Sequence, residues 1–496
     1  MGIVTRQGLF FTLISYLGII VGAINVLFLV PRLMGMSNYG ILNLLVAISI
    51  IYSQISQIGI PSILIKFFPA FRTENKLHAG FITWISLLGL LSFIVCTGVF
   101  LGFRSQILNY YADKSSGFAP YFFQVIPLAF FTILYAALDT ITRSLYKSIF
   151  SAFLNDIALK LITSVGILLF YFGLISFSQF IYIYIYSSGL VGLLIIAQLW
   201  LMNEFKFTLK LDIPKEKSVE LIRYGFYNLL AGSTLILVQK TDVIMLAHFT
   251  NEAIVGVYVT FIYISSVILI PSKSINRLAY TLIADHFVKN DLKSIGVIYS
   301  RTSIIQMLLG CFIFTGILLN KESLLLILHK PLFRTEFKSF YWLGLAILID
   351  ITGGLNTYII AISHKFRIST LILICSFVLC LVMNWVLIPY YGSMGAAMAL
   401  FISNAFLNFT NWFYIRMRFK LQPFTSKHLI MVLITTFTIA LFSFFPYLDN
   451  IFIDILVRST LITLVFGLLV IVFKISPDIN HQLLKWKNTC YRYIGY

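Results

Sequence analysis

The stretch Gln239–Phe261, QKTDVIMLAHFTNEAIVGVYVTF, closes one apolar run and opens another around a short polar turn, HFTNE. Its second half has a counterpart far upstream. VGVYVTF stands about 33 residues after Arg223, and NYGILNLL, from Asn38, stands about 34 residues after Arg6, an offset of about 216. The offset recurs with Lys147 and Lys365, and again where LLFYFG and LIPYYG end at Gly173 and Gly392. A doubled unit is therefore written into the chain. Within the quoted stretch Lys240 and Asp242 are anomalous, because a charge at the centre of a membrane helix costs roughly 2.5 to 3.5 kcal/mol.

Composition sets the frame for that cost. Of 496 residues, 59% are apolar and only 11% charged, which places the chain in a membrane. The first apolar run, Leu9–Val30, is too long for a signal-peptide core and shows no small-residue cleavage site, so it reads as a retained span. Windows of about 20 apolar residues predict about fourteen spans. They cover 9–31, 41–63, 81–102, 118–141, 152–173, 178–202, 222–247, 253–272, 296–319, 339–362, 367–388, 394–415, 428–446 and 454–474. FSQFIYIYIYSS alternates like a strand, but a lone strand leaves its backbone groups unpaired in lipid, so a helix with an interfacial aromatic cluster is expected. Cys96, Cys311, Cys375 and Cys380 lie in apolar runs and Cys490 stands alone near the end, a pattern for neither metal nor disulfide.

With the amino terminus inside, roughly 25 of the 36 Lys and Arg fall on one side of the membrane, so both termini should be cytoplasmic. Topology and anionic lipid account for the net charge of +18, and no nucleic acid partner is implied. The longest outward connection, 320–338, is too short for an external domain. That weighs against a membrane glycosyltransferase or polymerase, and no Walker pattern calls for ATP or any other cofactor.

The repeat divides the chain into a six-helix bundle at 1–202, a cytoplasmic linker at 203–221, a second six-helix bundle at 222–417, and two added helices with a tail at 418–496. Together, the YG after the first span, QKTDVIMLAHFTNEAIVGVY, the turn ISHKF and VLIPYYGSMGAAMA make the chain resemble the polysaccharide (O-antigen, Wzx-type) flippases. These are a branch of the multidrug/oligosaccharidyl-lipid/polysaccharide exporter superfamily. The resemblance covers nearly the whole chain. It implies an all-helical, MATE-like fold and a bacterial cytoplasmic membrane location. The implied cargo is an undecaprenyl-diphosphate-linked oligosaccharide, moved to the outer leaflet for surface polysaccharide synthesis, with a groove for its tail at the added helices. It also implies a polysaccharide polymerase and a chain-length regulator as partners.

The repeat mates of Lys240 and Asp242 are Ile24 and Val26, so the fold does not demand charge there. On a regular helix the two lie about 200° apart and cannot pair with each other. Gly232, Ser233 and Thr234 are placed to loosen this helix beside a cavity; otherwise Lys240 snorkels to the interface and Asp242 caps the following loop. Lys160 lies deep in an apolar helix on the side of Asp156, and Arg143 is four residues from Asp139. Lys160, Lys240, Arg143 and Arg277 are the candidate diphosphate ligands. Lys66, Lys147 and Lys365 fit the positive-inside bias, and Lys273 stands with Asp139 and Asp156 among the ionisable residues near the cytoplasmic mouth. Asp242 and Asp350 are the candidates for coupling a proton or sodium ion. Ser49, Ser53 and Ser56 form one polar stripe, with Gln54 and Gln57 alongside, and Asn404, Asn408 and Asn411 form another. Both stripes should face protein, as sugar contacts or as interhelical hydrogen bonds. Two further cargo readings stand beside the polysaccharide one, a cation-coupled drug or metabolite antiporter and a peptidoglycan-precursor flippase.

Overall fold

Hydrocarbon offers no partner to a backbone N–H or C=O, so a chain this apolar must close its hydrogen bonds within helices. Every regular element among the described residues is helical. The structure, a computed structural model, describes residues 3–72, 78–145, 147–202, 213–363 and 366–475. The linker stretch 203–212, Lys365 and the tail beyond 475 lie outside them.

Eleven described helices are long and apolar enough to cross a membrane, or thirteen with each of two bent pairs taken as one span. In chain order these are α1 (Leu13–Met34), α2 (Met36–Ser56), α3 (Phe81–Gly102), α4 (Ser116–Ser144), α5 (Ile149–Tyr171) and α6 (Phe177–Leu201). Then follow α7 (Lys215–Thr234 and Ile236–Phe249), α8 (Glu252–Val288), α9 (Leu292–Leu319), α10 (Lys338–Thr352 and Asn356–Ile362), α11 (Arg367–Phe419), α12 (Ser426–Ser443) and α13 (Ile451–Val472). The count departs from the expected fourteen at α11, which holds the predicted spans 367–388 and 394–415 in one run. Its 53 residues would measure about 80 Å as a straight helix, against a hydrocarbon core of about 30 Å. Gly392, at φ 55° and ψ −130°, breaks the helical path between the two, a conformation open to a residue without Cβ.

Local chemistry explains other elements. The alternating FSQFIYIYIYSS is the start of α6, opened by a capping box in which Ser176 Oγ accepts from the Gln179 amide and Gln179 Oε1 accepts from the Ser176 amide. α7 bends by 54° directly after Gly232, Ser233 and Thr234, and α10 bends by 46° across Gly353 and Gly354. The connection 320–338 folds as two short helices, Lys321–Leu328 and Pro331–Thr335.

Two compact units emerge from the packing, Met1–Thr260 and Phe261–Tyr496. In the first, Ile63, Leu64, Phe67 and Phe68 pack with Phe81, Leu138, Ile141 and Leu199 around a core that also takes in Leu221. α7 packs along α2, which is why this unit extends past the expected repeat boundary at 202. In the second, Met307, Leu308 and Cys311 of α9 meet Met431 and Ile434 of α12 and Phe466 and Val470 of α13.

The first unit also contains a reciprocal contact. A Cβ on Gly40 would overlap the Glu252 carbonyl oxygen, and one on Gly256 would overlap the Met36 carbonyl oxygen. Gly40 and Gly256, like Met36 and Glu252, stand at the offset of about 216 read from the sequence. Contacts i to j′ and j to i′ are what a two-fold axis produces.

Candidate functional site

Hydroxyls and amides that an apolar helix would not otherwise carry converge inside the first unit. Ser49 of α2, Thr132 and Tyr135 of α4, Asn155 of α5, and Tyr184 and Ser188 of α6 line a cavity of about 160 Å³. The Tyr135 hydroxyl sits within electrostatic reach of Asp139, Arg143 and Asp156. Arg143 pairs with Asp139 as its spacing predicts, and Ser151 Oγ donates to the same carboxylate at 2.6 Å. The Arg143 side chain is otherwise 62% exposed. Lys160, although four residues from Asp156, sends its ammonium to the Gly18 carbonyl at 2.8 Å. Asn25 ties the same turn to α1, donating to the Lys160 carbonyl at 3.0 Å and accepting from Ser164 Oγ at 2.6 Å. Asp156 accepts from Asn155 Nδ2 at 3.0 Å.

On α7, Asp242 is buried and accepts from the Tyr258 hydroxyl of α8 and from the Val243 amide, each at 2.8 Å. It therefore crosses to a neighbouring helix instead of capping the loop. Lys240 points elsewhere and is half-buried, and its ammonium has no hydrogen bond or ion pair among the described residues. The α7–α8 turn is clasped by the α3–α4 connection. Ser115 Oγ donates to the Ala247 carbonyl at 2.6 Å, the Gly117 amide donates to Glu252 Oε1 at 3.0 Å, and His248 stacks on Tyr110 at 3.7 Å.

In the second unit the asparagine stripe spans the break in α10. Asn408 Nδ2 donates to Asp350 at 3.3 Å, Asn356 Nδ2 donates to Asn408 Oδ1 at 2.8 Å, and Asn411 donates to Thr357 at 3.1 Å. Asn404 donates to the Ala346 carbonyl at 3.2 Å. These amides are engaged in joining helices. The other stripe is buried in the first unit, with Ser49 bonded to the Val125 carbonyl, Ser53 to its own helix, and Gln57 to Gln54. Arg277 and Lys273 are exposed on α8, and Lys66 lies over the Tyr224 ring at 3.9 Å. Beside the stripe, Cys311, Phe314, Phe401, Phe409, Trp412 and Thr435 border an apolar groove of about 690 Å³ among α9, α10, α11 and α12. A second apolar groove, of about 770 Å³, lies in the first unit between α2, α3 and the short helix Arg104–Tyr111.

No family defined by sequence matches the chain, and no curated protein sequence does. Solved structures do. A lipid II flippase, MurJ, in an inward closed conformation superposes with a TM-score of 0.72 at 15% identity, covering 93% of this chain and 98% of the other. An inward-facing multidrug resistance transporter of the MATE family gives 0.63 at 14% identity, covering 79% and 97%. A transporter from Pyrococcus furiosus described as having a binding pocket of reversed polarity gives 0.54 at 12%, covering 83% and 95%. The fold is that of the MOP-superfamily transporters. The chain is a multi-pass membrane protein, and the proteins that share its fold are transporters rather than enzymes.

Of the four basic candidates, Arg143 lies within electrostatic reach of the Tyr135 hydroxyl, Lys160 stands on α5 and Lys240 on α7, and Arg277 belongs to the second unit. Two features escape sequence reasoning. Arg458 and Asp454 of α13 form an ion pair at 3.0 Å with both side chains 1% exposed, and Ser323 and two loop carbonyls complete their hydrogen bonds. Their spacing of four was the available signal. Tyr184 was hidden among interfacial tyrosines: Tyr182 and Tyr186 are exposed, while Tyr184, on the opposite side of the helix, lines the polar cavity.

Proposed function

We propose that this protein is a flippase that carries undecaprenyl-diphosphate-linked oligosaccharides from the cytoplasmic to the outer leaflet of a bacterial cytoplasmic membrane by alternating access. One observation carries the proposal. Three acids within the spans, Asp139, Asp242 and Asp350, already hold protein hydrogen-bond partners, while the Lys240 ammonium makes no hydrogen bond among the described residues. Asp139 is paired with Arg143, Asp242 is bonded to Tyr258, and Asp350 is bonded to Asn408. Asp242 feels the Lys240 charge, but no acceptor closes on the ammonium, and a cation held at membrane depth with its hydrogen-bond donors unused favours an anionic cargo such as the diphosphate. An antiporter of organic cations requires the opposite bias.

The apolar groove bordered by α12 supports a cargo with a long hydrocarbon tail. Coverage points the same way, because the MATE structure leaves about a fifth of this chain unmatched and the lipid II flippase leaves far less. Moving one negative charge outward across about 100 mV releases roughly 2.3 kcal/mol, so the membrane potential can drive the step without ATP. Lys160, with one of its three donors committed to Gly18, and Arg143 are the secondary phosphate contacts. The clasp on the α7–α8 turn and the Gly40–Gly256 contact close the outward side and must part when the site opens there.

The test is export in the native host. Lys240→Ala is expected to abolish surface polysaccharide, and Lys160→Ala to reduce it, with protein level in the membrane unchanged. Full export by both variants would reject the reading.

A further inference from the structure

We propose that the cavity lined by Tyr135, Asn155 and Tyr184 binds a single sugar ring of the cargo, which is a subsite separate from the cationic groups that hold the diphosphate. This rests on the flippase reading above. The argument comes from which hydrogen-bonding valences the cavity wall still has to offer.

A serine or threonine hydroxyl has one hydrogen to donate and two lone pairs to accept with. Three hydroxyls on this wall have already used the hydrogen. Ser49 Oγ donates to the Val125 carbonyl at 3.3 Å, Thr132 Oγ1 to Leu128 at 2.7 Å, and Ser188 Oγ to Tyr184 at 3.3 Å. Asn155 has likewise turned one of its two amide hydrogens to Asp156, which leaves its oxygen and one N–H. The Tyr135 and Tyr184 hydroxyls have no hydrogen-bond partner among the described residues, so each offers both a donor and an acceptor. The wall is thus rich in acceptors, carries two adaptable phenols, and has no free cation.

That inventory disfavours the cargo's own phosphates, which bring only acceptors and no donor for the wall's lone pairs. It also disfavours a metal or organic cation, because no carboxylate lines the cavity, and of those nearby Asp139 is paired with Arg143 and Asp156 already acts on Lys160. A ligand made mostly of O–H and N–H donors on a compact frame fits, and a pyranose is such a ligand. The volume of about 160 Å³ corresponds to roughly five waters, the scale of one sugar ring. Phe131, Tyr135 and Tyr184 add aromatic surface for the C–H face of the ring. The assignment also replaces the asparagine stripe as the sugar contact, since those amides are bonded across the α10 break.

The experiment measures lipid binding to the purified full-length protein by native mass spectrometry. The probes are undecaprenyl diphosphate and its conjugates with glucose, galactose, N-acetylglucosamine and N-acetylgalactosamine. Wild type is expected to bind at least one conjugate about tenfold more tightly than the sugar-free lipid. Tyr135→Phe and Tyr184→Phe keep the rings and remove only the hydroxyls, so each should erase most of that preference while leaving affinity for the sugar-free lipid within about twofold. Lys240→Ala should weaken all the probes together. A wild type without sugar preference, or phenylalanine variants that retain it, would overturn the subsite and leave the flippase reading intact. A wild type that binds none of the five lipids would overturn that reading itself, and the subsite with it.

Discussion

The half-turn of α7 between Lys240 and Asp242 and the single turn of α13 between Asp454 and Arg458 each place a base and an acid inside the membrane, with opposite results. On α13 the two are four residues apart and share a face. The carboxylate and guanidinium meet at 3.0 Å, Ser323 donates to the carboxylate, and the Phe445 and Pro446 carbonyls take two further guanidinium hydrogens. On α7 the two are separated by a single residue and diverge. Asp242 hydrogen-bonds Tyr258, and Lys240 acts on it only through its field, with no hydrogen bond of its own among the described residues. A closed network of buried charge orders the protein around it, whereas an open one is available to something else.

The comparison predicts a gradient of effects on stability. Arg458→Leu strands the buried Asp454 carboxylate and should destabilise the protein by about 3 to 5 kcal/mol, read as a lower unfolding temperature in detergent. Arg458→Leu combined with Asp454→Leu should recover most of that loss. A single variant as stable as wild type would show that the α13 pair is not a closed network. Gly40→Ala follows, because its Cβ must displace the Glu252 backbone; overpacking of this kind costs about 1 to 3 kcal/mol, and Gly256→Ala should cost a similar amount if the contact is reciprocal. Clearly unequal losses for the two glycines would break that symmetry.

Lys240→Ala belongs at the far end of the gradient. With no hydrogen bond or contact ion pair to break, and only a longer-range attraction to Asp242, it should cost less than any change above, so a loss as large as that of Arg458→Leu would mean that α7 resembles α13 after all. The smallest effect concerns a charge outside the membrane. Hydrogen bonds from Ser294, at the start of α9, hold the Asp291 carboxyl below its usual range, and His286 lies at 3.2 Å. A depressed acid stabilises the fold above its unfolded pKa, and that contribution fades as the pH falls through its folded value. Asp291→Ala should therefore raise amide exchange at the first turn of α9 at neutral pH, with the difference from wild type shrinking in acid.

Much of the architecture was legible in one dimension. Among the described residues, the hydropathy windows fall on helices long and apolar enough to cross a membrane, and the count of fourteen differs at α11, where a glycine break inside a continuous helix stands for a loop. The doubled motifs around Gly40 and Gly256 pointed to residues that touch each other. The polar stripes were legible as buried, because helical spacing places Ser49, Ser53 and Ser56 on one face. Their partners were not. Nothing in the order of residues shows that Asn408 crosses to Asp350, that Lys160 turns to Gly18 rather than to Asp156, or that Tyr184 looks inward while Tyr182 and Tyr186 look out.

By itself, then, the sequence determined that this chain is a doubled set of membrane helices with cations kept at depth, because hydrophobic length, helical period and charge cost are properties of neighbouring residues. Only the tertiary structure decided which of those charges are satisfied and which polar groups share a cavity. Hydrogen bonds act over about 3 Å, and the helices that bring such groups within that distance lie tens or hundreds of residues apart along the chain.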